Sequence, residues 1–294
     1  MNSPSDEIDR GRRHIFTTAA VAIAAVQLGI PDFADAKPRG GRNAVKRLAA
    51  LPGRAEISVV LVHGAWADGS GWDRVMSLLR TEGLKTMAAP IPLTSLSDDI
   101  AALDHALERT TGPVVLVAHA YAGAVIGACR NERVQSLVFS NALAPDEGET
   151  VAKVFYRDKP DSHAPNLTPD RYGLLWMPNE AFGAAWCQNA SAEEAALLAA
   201  AQRPIAVACI QEKAPKPTWR AMPSWYLVAE DDRMINPATQ RFLANRMGAR
   251  IRSEKVDHAA LITAPNVVAG IIVEAVAGLA TDPNKATSSA PQHG

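Results

Sequence analysis

The chain has 294 residues, 48% of them hydrophobic, enough to bury a large core in one α/β domain. Lys and Arg total 30 against 31 Asp and Glu, so no basic excess exists for a phosphate backbone and nucleic acid is not an expected partner. The three cysteines, Cys129, Cys187 and Cys209, show no C-x-x-C spacing and no histidine cluster, so no metal or cofactor is expected and at most one disulfide can form.

The first element in chain order is a leader. Arg12-Arg13 precede an uncharged, Ala- and Thr-rich run at 15–30, and Ala34-Asp35-Ala36 follows it. A positive n-region, an apolar h-region and an A-x-A exit predict a secretory signal over residues 1–36, and the paired arginines point to the twin-arginine route and a periplasmic or secreted protein. The competing reading is an amphipathic or membrane-anchoring helix. The run has 16 residues and is too rich in Ala and Thr to span hydrocarbon, so no stable membrane insertion is expected. Residues 37–54 read as a linker.

From Ala55 short apolar runs alternate with amphipathic stretches, which predicts a mostly parallel sheet with helices on both faces over residues 55–280. Strands are expected at 57–62, 84–89, 114–117, 134–139, 224–229 and 250–256. Helices are expected at 72–80, at 97–108 behind the capping candidates Ser95 and Ser97, at 238–247 and at 266–279. The low-hydrophobicity tail 281–294 reads as disordered.

Residues 146–222 break this rhythm, with no clear strand but with Phe155, Trp176, Phe182 and Trp186. Too long and apolar for a loop, they predict a small helical cap, with 193–202 as its clearest helix. Ligands of open parallel sheets bind beyond the carboxyl ends of the strands, so a cap there encloses a pocket. Trp66, Trp176 and Trp186 are the candidate substrate-contacting residues. The plain alternative is that the cap tryptophans only hold the cap together.

The stretch VVLVAHAYAGAV, residues 114–125, is a strand that runs into small residues and then into helix formers. That is the shape of a nucleophile elbow, whose apex is usually the serine of a G-x-S-x-G frame. Here the apex is Ala120, with Ala118 and Ala122 at the flanking small positions. His119, Cys129 and Ser140 are poor substitutes for the missing hydroxyl.

With this elbow, HGAWADGSGW at 63–72 and the short cap, the chain from Ile57 to about Leu279 resembles an α/β-hydrolase of the small-esterase and hydroxynitrile-lyase-like branch. The resemblance implies an oxyanion hole formed by the N–H groups of Ala65 and Tyr121. It also implies the order nucleophile, acid, base, here Ala120, Asp232 and His258. Of seven histidines, His258 alone follows the last strand and precedes the final helix. Asp232-Arg233-Met234-Ile235-Asn236-Pro237 resembles the acid turn of the family, with Asp231 as runner-up.

Two readings of the alanine stay open. One is a serine hydrolase, of esterase or lactonase type, whose nucleophile has been replaced and which takes a small, largely uncharged ester or lactone. The other is a natural ligand-binding protein, or a lyase or cofactor-free enzyme with the His258–Asp232 dyad as general base. Neither the substrate nor the oligomeric state is legible.

Overall fold

The computed structural model describes Ala44, Lys46, Leu48, Leu51 and residues 53–279. The expected leader, 1–36, and the expected tail, 281–294, lie outside the described residues. Within the stretch expected as a linker, Leu48 is completely buried.

Strands β1 (Ser58–Val62), β2 (Lys85–Ala89), β3 (Val114–His119) and β4 (Val134–Ser140) precede the cap. The cap holds β5 (Leu174–Leu175) and β6 (Ile205–Ala206), and β7 (Ser224–Ala229) and β8 (Arg250–Glu254) follow it. The main sheet runs β2-β1-β3-β4-β7-β8, and every pairing in it is parallel. β1, β3 and β7 are buried along their whole length, because helices cover both faces of the sheet. Their sequences therefore run apolar without alternation. The edge strands β2 and β8 instead expose Lys85 and Arg250, charges that blunt an open edge.

The helices include α1 (Asp73–Thr81), α2 (Leu96–Leu107), α3 (Ala122–Ala128), α4 (Val151–Phe155), α5 (Ala192–Ala200), α6 (Val207–Gln211), α7 (Pro237–Arg246), α8 (Ala260–Thr263) and α9 (Pro265–Gly278). Of the two caps expected for α2, Ser95 is used: its Oγ accepts the Asp98 N–H at 2.9 Å. α9 is apolar nearly all round because it is buried all round, packed on α1, β4 and β7.

The strands fall where apolar runs predict them, with shifted ends. β3 continues through His119 into the elbow, and β8 stops at Glu254. The cap is helical in α4, α5 and α6, and also carries an antiparallel ladder in which Leu175 pairs with Ile205. Two-residue strands are too short to show an alternation, so the ladder leaves no periodic signal.

Candidate active site

Chain direction across the sheet reverses between β1 and β3, so the loops after these strands diverge and leave a crevice at their carboxyl ends. Just past β1, β2, β3 and β4 stand Trp66, Leu93, Ala120 and Asn141, all left-handed, with φ of 59°, 62°, 50° and 37°. L-residues adopt this region at a cost of about 1–2 kcal/mol each, so surrounding contacts must hold them there.

Ala120 is the tip of the elbow. Its carbonyl accepts the Gly123 N–H at 3.2 Å and the Leu143 N–H at 2.9 Å, which ties the turn to the segment after β4. Close approach explains the small residues around it. A Cβ on Gly123 would drive into the Leu143 carbonyl oxygen, and one on Gly64 would lie 2.9 Å from the Ala120 Cβ. The turn at Gly64 and the elbow tip at Ala120 are therefore in contact.

His258 reaches the same place from the loop after β8. Its Nδ1 lies 3.0 Å from Asp232 Oδ2 and 3.1 Å from Oδ1, with His258 1% and Asp232 4% exposed. Asp232 Oδ1 also accepts the N–H groups of Met234 and Ile235 at 2.8 and 2.9 Å. Its Oδ2 accepts Gln240 Nε2 at 2.8 Å and Asn141 Nδ2 at 3.0 Å. With only donors around it, the carboxylate draws the His258 proton to Nδ1 and leaves the Nε2 lone pair on the far edge of the ring. Asn141 Nδ2 also donates to the His258 carbonyl at 2.9 Å.

His119 packs against His258. Its Nε2 pairs with the His258 carbonyl at 2.8 Å, and the two rings lie 4.7 Å apart, centre to centre. Burial, aided by His258 beside it, holds the His119 imidazole well below the ordinary histidine range and therefore neutral.

Tyr121, the residue after the apex, sends its hydroxyl to Asp99 Oδ2 at 2.7 Å. Burial raises Asp99 above the usual carboxylate range. Burial and the neighbouring Asp99 together keep the Tyr121 hydroxyl protonated.

A cavity of about 230 Å³ opens between the sheet and the cap, smaller than the roughly 300–1,000 Å³ of drug-sized sites. Ala65, Trp66, Ala120, Tyr121 and His258 line its floor, and Val151, Phe155, Leu175, Ile205 and Val207 its cap side. No Asp, Glu, Lys or Arg among the described residues lines it. Among these residues the N–H groups of Ala65 and Tyr121 have no acceptor. Two free donors and an imidazole lone pair can receive a developing oxyanion and a proton.

The structure thus brings Ala65, Trp66, Ala120, Tyr121 and His258 together, with Asp232 behind His258. It does not bring Trp176 and Trp186 to the cavity. Trp176 is 48% exposed and donates its Nε1–H to Asp170 at 3.2 Å. Trp186 ends the π-turn Phe182–Trp186, which aims the indole into the core, edge-on to His119 and His258 at 6.1 and 6.0 Å. The three cysteines are free and buried. Glu230 pairs with Arg241 and Asp231 is exposed, so neither competes with Asp232 for the imidazole. Asn141, Gln240 and Asp99 are additions to the candidates read from the sequence, and His119, a poor substitute nucleophile there, is a partner of the His258 carbonyl.

The family model described as the alpha/beta hydrolase family matches residues 59–271. The chain belongs to that family. Several solved α/β-hydrolase structures are similar to it. An extracellular alpha/beta-hydrolase from a Paenibacillus species is 21% identical with a TM-score of 0.63, over 74% of this chain and 98% of that one. The pyrethroid hydrolase from Sphingobium faniae is 20% identical with a TM-score of 0.63, over 78% and 99% of the two chains. A methylesterase protein from Arabidopsis is 17% identical with a TM-score of 0.62, over 76% and 99%. At such identities the likeness establishes the fold. A search of curated protein sequences found no match. No helix among the described residues is long and apolar enough to cross a membrane.

Proposed function

We propose that this α/β-hydrolase carries an esterase- or lactonase-type site for a small, uncharged ester, and that Ala120 stands where acyl-enzyme chemistry requires a serine. The observation that carries this reading is the place of Ala120: a strained, left-handed residue at the elbow tip, on the floor of the same cavity as His258, Ala65 and Tyr121. A serine there would lose its proton to His258 Nε2, attack the ester carbonyl and leave the oxyanion on the two free N–H groups. The cavity's lack of charge favours a neutral substrate. As written, the chain binds such a ligand but cannot form the acyl-enzyme.

The second reading rests on the dyad. Asp232 and His258 are held as fully as a serine-dependent base would be, and a base so held can take a proton from a bound ligand without a nucleophile. Turnover of an ester panel by the chain as written and by Ala120→Ser separates the two. Hydrolysis by the serine variant alone supports the first, and inactivity of a folded serine variant supports the second.

We also propose that residues 1–36 direct export by the twin-arginine route. Arg12-Arg13, the Ala34-Asp35-Ala36 exit and the extracellular character of the Paenibacillus relative support it. Mass spectrometry of the protein from its native host would show a chain beginning near Lys37. A cytoplasmic protein that keeps Met1–Ala36 would overturn this assignment.

A further inference from the structure

The ladder β5–β6 is attached at two places to the loops that follow β1 and β2: one adjoins Ala65 directly, and the other reaches the side chain of Tyr121 through Asp99. Trp66, directly after Ala65, donates its backbone N–H to the Arg203 carbonyl and its indole Nε1–H to the Leu175 carbonyl, both at 3.0 Å. Leu175 is in β5, and Arg203 stands just before β6. One residue is therefore clamped by both sides of the ladder.

The second attachment runs the other way. Ala206, in β6, donates its N–H to the Leu93 carbonyl at 3.0 Å. Leu93 donates its own N–H to Asp99 Oδ1 at 2.7 Å, and Asp99 Oδ2 takes the Tyr121 hydroxyl at 2.7 Å. From α6, which follows β6 directly, Cys209 Sγ adds a weaker contact to the same Oδ2 at 3.6 Å. Burial pushes that thiol up to about 12, so it remains a proton donor.

Trp66 and Leu93 share a backbone state that needs external support, with φ of 59° and 62°. Both receive that support from the same cap element. We propose that the ladder is the scaffold of the oxyanion hole, with Trp66 and Asp99 as positioning residues for the N–H groups of Ala65 and Tyr121. This rests on the esterase reading above.

The test uses the full chain with Ala120→Ser as parent. In it, Trp66→Phe removes the indole donor and Tyr121→Phe removes the hydroxyl that reaches Asp99, while each keeps an aromatic ring in the cavity wall. Donors that act on a developing oxyanion contribute only in the transition state. Each variant is expected to lose about tenfold in kcat, with KM within about twofold of the parent. Affinity for phenylboronic acid, whose boron takes the serine Oγ and becomes tetrahedral and anionic, should fall by the same factor. Affinity for planar, neutral benzamide should not change. Thermal melts check folding, and Asp99→Asn replaces any variant that does not fold. An active parent whose variants keep kcat and boronic-acid affinity, or lose activity only through KM, overturns the proposal and leaves the esterase reading intact. A folded parent that neither hydrolyses esters nor labels overturns both.

Discussion

Gln240 holds Asp232 in place: its Nε2 donates to Asp232 Oδ2 at 2.8 Å from the buried face of α7, while its Oε1 takes the Ala229 N–H at 2.9 Å. The same Nε2 also serves the Ile235 carbonyl at 2.8 Å, so one amide joins the acid to the end of β7 and to the turn before α7. Gln240→Leu would orphan the Ala229 N–H and the Ile235 carbonyl. At about 1–3 kcal/mol for each buried group left unsatisfied, denaturant melts should show a loss of about 2 kcal/mol or more. Gln240→Glu sets a second carboxylate against Asp232, and its loss of stability should deepen as pH rises through the carboxylate range.

Asp257 makes a different demand on pH. It is buried, accepting the Asn189 N–H at 2.9 Å and the Thr263 hydroxyl at 2.5 Å, and burial raises it above the usual carboxylate range. With the folded value above the unfolded one, its contribution to stability is complete below the unfolded value and is lost as pH rises through the folded value. Asp257→Asn keeps an acceptor for Asn189 and a donor for Thr263, and cannot ionise. The variant's melting temperature relative to wild type should therefore climb between acidic and neutral pH. A difference that is flat across that window would contradict the account.

The two cap tryptophans should separate cleanly. Trp186 is fully buried beneath His119 and His258, and Trp186→Ala should cost about 3–5 kcal/mol in unfolding experiments. Trp176→Ala, at a site 48% exposed and outside the cavity, should stay within about 0.5 kcal/mol of wild type and leave ligand affinity unchanged. A binding defect in Trp176→Ala would show that the cavity extends further than described.

Gly64→Ala probes the contact between the turn after β1 and the elbow, which the proposed oxyanion hole requires. Its Cβ would sit 2.9 Å from the residue-120 Cβ and 3.0 Å from the His119 carbonyl oxygen, so one backbone must move. In the Ala120→Ser chain, kcat should fall at least tenfold, an estimate of about one order of magnitude for a displaced donor. Steady-state kinetics beside a thermal melt distinguishes this from unfolding.

Much of this was legible before any coordinates. Buried strands such as Val114–His119 announce themselves as apolar runs, and the order Ala120, Asp232, His258 carries the topology of the site. What was missed depends on where separate loops end in space. Asn141 is a polar residue after a strand, and the acceptors of its Nδ2 come from the meeting of the β7 and β8 loops. Its left-handed backbone suits an asparagine, which tolerates that state better than most residues. Gln240 carried a signal: it shares a helix face with Leu243 and Ala244, and a polar residue on an apolar face is buried for a reason. Trp186 was a candidate substrate contact, and its burial against His119 and His258 fits the plainer alternative, a tryptophan that holds the cap together.

The most direct measurement of the central claim is intact-protein mass spectrometry after exposure to a fluorophosphonate. In Ala120→Ser the new Oγ should attack phosphorus as fluoride leaves and His258 takes the proton, giving one phosphonyl adduct that maps to residue 120. The chain as written should show no adduct. Adding His258→Ala to the serine variant should abolish most of the labelling, because removal of the triad histidine alone costs about 10⁶-fold in kcat in a well-studied protease. A folded Ala120→Ser protein that takes no adduct, or one labelled equally well without His258, would contradict the assignment of Ala120, Asp232 and His258 as a triad that lacks only its hydroxyl.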